Sequence, residues 1–347
     1  MKRLSILVVS LIVLGALSAV SAVPIGKFDV QVTLDPPKIR VVSKTNPDKV
    51  AFESDPDVPF LQLREGAFNK KALYEGNDLW DMKSKRLTKT LSLQKHEVKD
   101  DIFTIYGEVG GWETEVPFVA VFKELSNNQL GFEIMPVYDM PENIILRLQF
   151  VSPKGEGFYG FGEQFSHWNM RGKRFPLLVS EQGVGRGIQP LTWFLNNIRN
   201  GEGGSAFTTY SPMPIFITSQ MRGMILTNTH PLVVDLKSKT HAALEVWHTS
   251  RIQGRLLLED SPLDLIESIS TFTGRMKGLP DWVFNGAVFG IEGGSSVVRP
   301  LTNYIRKVGG VPLAGVWMQD WSGLYHFDEG DRLLWNWQLS YDQYPDW

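Results

Sequence analysis

The sequence predicts a two-part chain, an antiparallel β-sandwich followed by a parallel strand–helix–strand unit, on three observations. Between residues 23 and about 255, short apolar or alternating runs recur between clusters of Asp, Asn, Gly and Pro, the pattern of many short strands closed by turns. At Ser261 the apolar period lengthens from two toward 3.6, so a helix follows the last strand. From 284 to 318 an apolar run, an amphipathic run and a second apolar run succeed one another. Strand, helix and strand of these lengths form a right-handed parallel unit.

Taken in order, the chain opens with Met1-Lys2-Arg3, an apolar run through Val20, and small residues at Ser21-Ala22. These are the three regions of a secretory signal peptide, assigned to residues 1–22 with cleavage expected after Ala22. Gly15, Ser18 and Ser21 dilute the run near its end. The alternative is an uncleaved signal anchor, because the run approaches the ~20 residues that span a bilayer. A secreted, lumenal or periplasmic protein is expected, with no membrane contact after cleavage. Strand runs then follow at 28–34, 103–109, 116–122, 130–134, 144–150, 214–218, 224–227 and 232–236, giving a sandwich domain over 23–258.

A connecting helix and linker occupy 259–282. Ser261 is an N-cap residue, Pro262 fits the first helical position, and Asp264 lies three residues after the cap. Leu265, Ile266, Ile269 and Phe272 form one apolar stripe, which Gly274 closes. The last part, 283–347, begins with a strand at 284–291 that reads as fully buried and empties into Glu292-Gly293-Gly294. Val298, Leu301, Ile305 and Val308 recur at helical steps and stop at Gly309-Gly310, and 312–318 reads as a second buried strand. In parallel units ligands meet the carboxyl ends of the strands, where Glu292, Gln319, Asp320 and Trp321 stand.

Composition excludes several classes of function. The formal charge is −3, and without Lys2 and Arg3 there are 33 basic against 38 acidic residues, so nothing favours nucleic acid. With no cysteine there is neither a disulfide nor thiolate chemistry. The six histidines show no metal-ligand spacing, and no metal or cofactor is expected. Gly155-Glu-Gly157-Phe-Tyr-Gly160 fits GxGxxG, but no amphipathic helix follows, so it reads as a turn whose glycines relieve positive φ. Gly183-Val-Gly185-Arg186-Gly187 reads as a loop, and Arg171, Lys173 and Arg174 as a solvated turn.

Several motifs together resemble one family. GIEGG at 290–294, WMQDWSG at 317–323 and Arg332-x-x-Trp335 resemble the first two barrel strands of family-31 glycoside hydrolases, in their sulfoquinovosidase branch. FYGFGEQF at 158–165, RGKRFPL at 171–177 and SEQGVGR at 180–186 resemble the same branch in the same order, so the likeness covers roughly 155–347. It implies a galactose-mutarotase-like β-sandwich ahead of a (β/α)8 TIM barrel, of which this chain holds only the first βα units. It implies a retaining α-glycosidase, sulfoquinovosidase-like or an α-glucosidase, with a carbohydrate as partner.

Retaining hydrolysis needs two carboxyl groups ~5 Å apart, and the resemblance places both on later strands, beyond Trp347. No catalytic residue is therefore expected within the chain, and the chain alone is expected to be inactive. The resemblance gives Asp320 the sugar hydroxyls, and gives Gln319, Arg332 and Trp335 the sulfonate. It also implies an N-domain loop over the active-site mouth, for which Glu181, Gln182 or Arg186 are the candidates; a plain surface loop is the other reading.

The residues themselves fit a sugar site. Asp320 offers a bidentate acceptor and Trp321 a flat apolar face. On a helical turn Arg332 and Trp335 would point the same way, and a guanidinium fork matches an oxyanion; an ion pair of Arg332 with Asp328 or Asp331 is the alternative. Glu292 departs from the pattern, since the branch carries Gln or Lys there. A carboxylate beside a sulfonate is repelled by on the order of a few kcal/mol, which leaves a neutral α-glycoside open as substrate. A reading of a different class is a non-catalytic carbohydrate-binding or scaffold protein.

Overall fold

The computed structural model describes residues 20–72, 78–111, 114–125, 129–181, 183–199, 201–327, 330–333 and 337–347. Residues 1–19 of the expected leader lie outside them. The chain divides into two compact units, Met1–Gly274 and Arg275–Trp347, and the boundary falls inside the expected connecting segment. Among the described residues no helix is long and apolar enough to cross a membrane.

The first unit is almost entirely strand. Ser21–Ile25 (β1), Phe28–Thr33 (β2), Lys38–Ser43 (β3) and Val50–Glu53 (β4) form a four-stranded sheet in chain order. In β1, Ser21 and Ala22 already pair with Val32 and Gln31. Next come Leu61–Ala72 (β5), Asp78–Arg86 (β6), Thr90–Lys99 (β7), Ile102–Gly110 (β8), Val116–Leu125 (β9), Gln129–Pro136 (β10) and Ile144–Val151 (β11). Phe158–Gly162 (β12), Arg174–Leu177 (β13), the helix Leu191–Ile198 (α1), Pro212–Thr218 (β14), Arg222–Leu226 (β15), Leu232–Asp235 (β16), His241–Trp247 (β17) and Ile252–Leu258 (β18) complete it.

An eight-stranded sheet of order β12-β14-β15-β18-β10-β9-β8-β7 faces a six-stranded sheet of order β13-β16-β17-β11-β5-β6. Each pairing within these sheets is antiparallel. Period-two burial shows why: Val116, Phe118, Ala120 and Phe122 of β9 turn inward, and their neighbours do not. Across the sandwich Phe150 of β11 stacks on Phe216 of β14 at 6.5 Å, and Phe161 of β12 meets Phe175 of β13 edge-on at 5.2 Å. The expected sandwich is therefore present, with strands at each of the eight expected runs.

Two local expectations change. Of the expected turn over 155–160, the turn itself falls at 154–155 with Gly155 at φ 88°, while Phe158–Gly162 is an edge strand with a bulge between Gly160 and Gly162. A Cβ on Gly162, at φ 81°, would stand 2.1 Å from the Ser211 carbonyl. The turn expected around Arg171 is present at 171–172, but Arg171 and Arg174 are half-buried and bound by distant partners instead of simply solvated. Arg174 donates to Glu245 at 3.0 Å, and Arg171 to the Ser152 hydroxyl and the Lys239 carbonyl. The 1% exposed Glu245 also takes Arg147 at 2.6 Å. Burial, with the charges of Arg147, Arg174 and Arg86, lowers the pKa of nearby Arg64 against the opposing pull of Glu245.

A second buried carboxylate joins the two faces. Glu156 is fully buried and meets Arg222 in a two-pronged pair, Nε to Oε1 and a terminal nitrogen to Oε2, both at 2.8 Å. Ser152 donates at 2.5 Å. Burial alone would raise this carboxyl's pKa, but the bonds and charge of Arg222, with Ser152 and Thr218, bring it below the ordinary value.

After β18 comes Pro262–Thr273 (α2), capped as expected. The Asp264 amide donates to the Ser261 hydroxyl at 3.2 Å, and Gly274 ends the helix at φ 85°. Leu265 is buried against Ile225 and Leu257, whereas Ile266 and Phe272 remain exposed, so the apolar stripe is narrower than expected.

In the second unit a 3-10 turn, Asp281–Phe284, precedes Ala287–Gly290 (β19); Ser295–Lys307 (α3) then leads to Leu313–Trp317 (β20). β19 and β20 pair in parallel, as expected. Neither is fully buried, however: Val288 is 55% and Trp317 58% exposed. Within this unit the two-stranded sheet has one helix, and the small core of Ile291, Val298 and Tyr344 covers only part of its apolar surface. Leu324–Phe327 (β21) and Gly330–Leu333 (β22) form an antiparallel hairpin.

The Glu156–Arg222 pair generates a stability prediction. Arg222→Leu strands a buried carboxylate, so urea unfolding followed by tryptophan fluorescence at pH 7 should show a loss of about 3–5 kcal/mol. A folded pKa held below the unfolded ~4.3 contributes stability that is complete above that value and is lost as pH falls through the folded value. Without Arg222 that contribution is gone, and Glu156 takes up a proton on acidification. The deficit should accordingly shrink at pH 4; an equal deficit at both pH values would mean that the pair is not ionised.

Candidate functional site

The carboxyl ends of β19 and β20 lie side by side, held by the Ile291 amide donating to the Trp317 carbonyl at 3.0 Å. Glu292, Gln319, Asp320 and Trp321 therefore come together where the sequence places them. Glu292 is exposed, Gln319 and Trp321 are half-buried, and Asp320 is 1% exposed. The Trp321 ring lies 6.0 Å from Trp337, tilted by 55°.

The Asp320 carboxylate is occupied by the protein. One oxygen accepts the Gly293 amide at 2.8 Å and the side-chain amide of Gln343; the other accepts the Tyr344 hydroxyl. Burial, then the hydrogen bond and charge of Asp320, with a smaller push from Glu292, raise the Tyr344 phenol above its ordinary range. Gly294 makes the approach feasible, since at φ 77° a Cβ there would stand 2.6 Å from the Gln343 carbonyl. The same carbonyl takes the Ser295 amide at 3.1 Å.

Asp346 completes the attachment of the last residues to the start of α3. It accepts the Ser295 hydroxyl and pairs with Arg299 at 2.6 Å. The hydrogen bond from Ser295, aided by Arg299, holds its carboxyl below the usual range although burial opposes this. Gln343, Tyr344 and Asp346 were missed by the sequence reading. Their partners lie far along the chain and follow no period; the only available signal is the polar, aromatic composition of 341–347.

The expected sulfonate clamp is only partly described. Arg332 lies in β22, paired with Tyr325, and not on a helical turn, because 330–333 closes a hairpin whose ladder fixes an extended backbone. Its side chain and all of Trp335 lie outside the described residues, as does Asp328. Among the described residues no group of His, Cys, Asp and Glu has the geometry to hold a metal.

In the first unit, the loop expected at an active-site mouth is built on glycines at positive φ, Gly183, Gly185 and Gly187. The Arg186 guanidinium sits 4.2 Å above the Phe165 ring and donates to the Thr208 carbonyl. Phe165, His167, Arg186 and Ile188 line an open groove of about 620 Å³. Glu181 is exposed, and Gln182 lies outside the described residues. The neighbouring α1 exposes Trp193, Phe194 and Ile198.

Comparison with known proteins gives this architecture its relatives. Residues 18–235 match the family described as the glycosyl hydrolase 31 N-terminal galactose mutarotase-like domain. A sulfoquinovosidase of Escherichia coli (strain K12) is 33% identical over 198 residues, 57% of this chain and 29% of that protein. A sulfoquinovosidase of Agrobacterium fabrum is 28% identical over 306 residues, 88% of this chain and 42% of that one. Among solved structures, a GH31 family sulfoquinovosidase from E. rectale in complex with the aza-sugar inhibitor IFGSQ superposes with a TM-score of 0.74 at 26% identity. That match covers 91% of this chain and 45% of the other. The chain thus spans less than half the length of each of these relatives. With more than half its residues matched by the family model, the chain belongs to glycosyl hydrolase family 31, and its sandwich is that family's N-terminal galactose mutarotase-like domain.

Proposed function

We propose that this chain contributes the sandwich and the first βα units of a (β/α)8 barrel to a retaining α-glycosidase of sulfoquinovosidase type. The observation that carries the reading is the parallel β19–β20 pair with Glu292 and Gln319 at its carboxyl end. A barrel enzyme binds substrate at that face. Both sequence relatives named above are sulfoquinovosidases, which supports the substrate class. The N-terminal leader, directing the protein out of the cytoplasm, belongs to the same proposal.

In this reading Gln319 and Arg332, with Trp335, take the sulfonate, and Trp321 offers its ring to the sugar. Neither acidic residue at the strand ends serves as a catalytic carboxylate. Asp320 is buried and held by three donors, so it has no path to an anomeric carbon. Glu292 alone does not make the pair that retaining chemistry requires. The nucleophile and the acid/base group belong to strands outside these 347 residues.

Two outcomes follow. Expressed alone, the chain should hydrolyse no aryl α-glycoside above background. Turnover that vanishes in Glu292→Gln would show that the dyad is here after all. Joined to the later barrel strands of the Agrobacterium relative, Arg332→Ala should lower kcat/KM on a sulfoquinovoside roughly 10–100-fold more than on a neutral glucoside, the value of a charge-assisted contact. Glu292→Gln should raise it on the sulfoquinovoside by relieving repulsion. Equal losses on both substrates with Arg332→Ala would move the specificity to neutral α-glucosides.

A further inference from the structure

We infer that Asp320 is a positioning residue, held by Gln343 and Tyr344 so that Gln319 and Glu292 are presented to the ligand. The inference rests on the sugar-site reading above. An ionised carboxylate offers about four lone-pair directions. Three are taken by the Gly293 amide, the Gln343 side chain and the Tyr344 hydroxyl, and at 1% exposure the fourth has no access to a sugar. A hydroxyl-binding carboxylate must be open to the ligand; this one faces into the protein.

What the carboxylate does is join three segments: the loop after β19, the loop after β20 and the stretch from 337 to 347. Beyond the Ile291–Trp317 hydrogen bond, the Asp320 side chain ties the loop after β20 to the backbone of the loop after β19. Glu292 precedes the amide that Asp320 holds, and Gln319 precedes Asp320 itself, so fixing the clamp fixes both. Gln343 and Tyr344 keep the carboxylate aimed at Gly293, and their segment is in turn anchored by the Ser295 amide on the Gln343 carbonyl.

The test is amide hydrogen exchange and nitrogen-15 spectra of the 347-residue chain. In Asp320→Ala the Gly293 amide should exchange roughly 10–100-fold faster. In Asp320→Asn, whose amide oxygen still accepts, it should stay near wild type. Tyr344→Phe should move the Gln319 side-chain resonances and quicken Gly293, while amides of β18 keep their rates. Should Asp320→Ala unfold the second unit, Tyr344→Phe carries the test alone. A Gly293 rate untouched by Asp320→Ala and by Tyr344→Phe overturns the clamp. Sulfoquinovose or glucose added to the wild type should shift Gln319 with the Gly293 rate held; a sugar that speeds Gly293 draws the carboxylate away and returns Asp320 to the ligand. No sugar response at all, with the variants behaving as expected, removes the sugar-site reading and leaves the clamp standing.

Discussion

A carboxylate removed from water has to find its hydrogen bonds inside the protein, and around Asp320 that requirement fixes the second unit. Leaving it unmatched would cost several kcal/mol. The Gly293 amide, the Gln343 side chain and the Tyr344 hydroxyl supply what water would have supplied. The consequences run outward from there. The loop after β19 must turn tightly enough to offer an amide, which the glycines at 293 and 294 allow with φ of 110° and 77°. The helix α3 must begin where the Gln343 carbonyl can receive Ser295, and Asp346 then settles against the same helix start.

The same constraint governs the sandwich. Glu156 and Glu245 are both buried; Glu156 is met by Arg222 of β15, and Glu245 of β17 by Arg147 of β11 and Arg174 of β13. These pairs span long sequence separations, 66 residues for Glu156 and Arg222. In sequence, Arg171 and Arg174 are merely a basic cluster, because charge spacing along the chain carries no information about which carboxylate lies opposite in a sheet. Strands with strict alternation, such as β2, β8 and β9, are legible for the opposite reason: the inner face writes itself into every second residue. The β5–β6 hairpin is rich in Lys, Asn and Asp and shows no such pattern, and α1 follows no recognisable cap. Both went unread.

At the site, legibility divides along the same line. Glu292, Gln319, Asp320 and Trp321 stand at strand–loop junctions, and a parallel unit presents such junctions to ligands whatever its details. The partners of Asp320 were not legible, since Gln343 and Tyr344 lie 23 and 24 residues away with no period to connect them. Arg332 and Trp335 suggested a helical turn by spacing alone, but Gly330–Leu333 pairs as a strand, and local spacing does not decide between the two. The strands β19 and β20 read as buried because apolar runs look alike whether or not neighbouring structure covers them. Val288 and Trp317 are the residues where composition and burial part company.

The central proposal is that these 347 residues belong to a sulfoquinovosidase-type hydrolase whose catalytic carboxylates are not among them. Reading the genomic sequence past the codon for Trp347 tests it directly. The account predicts an in-frame continuation through further alternating strands and helices, with two carboxylate residues at later strand ends. A continuation that lacks such a pair of carboxylates would contradict it.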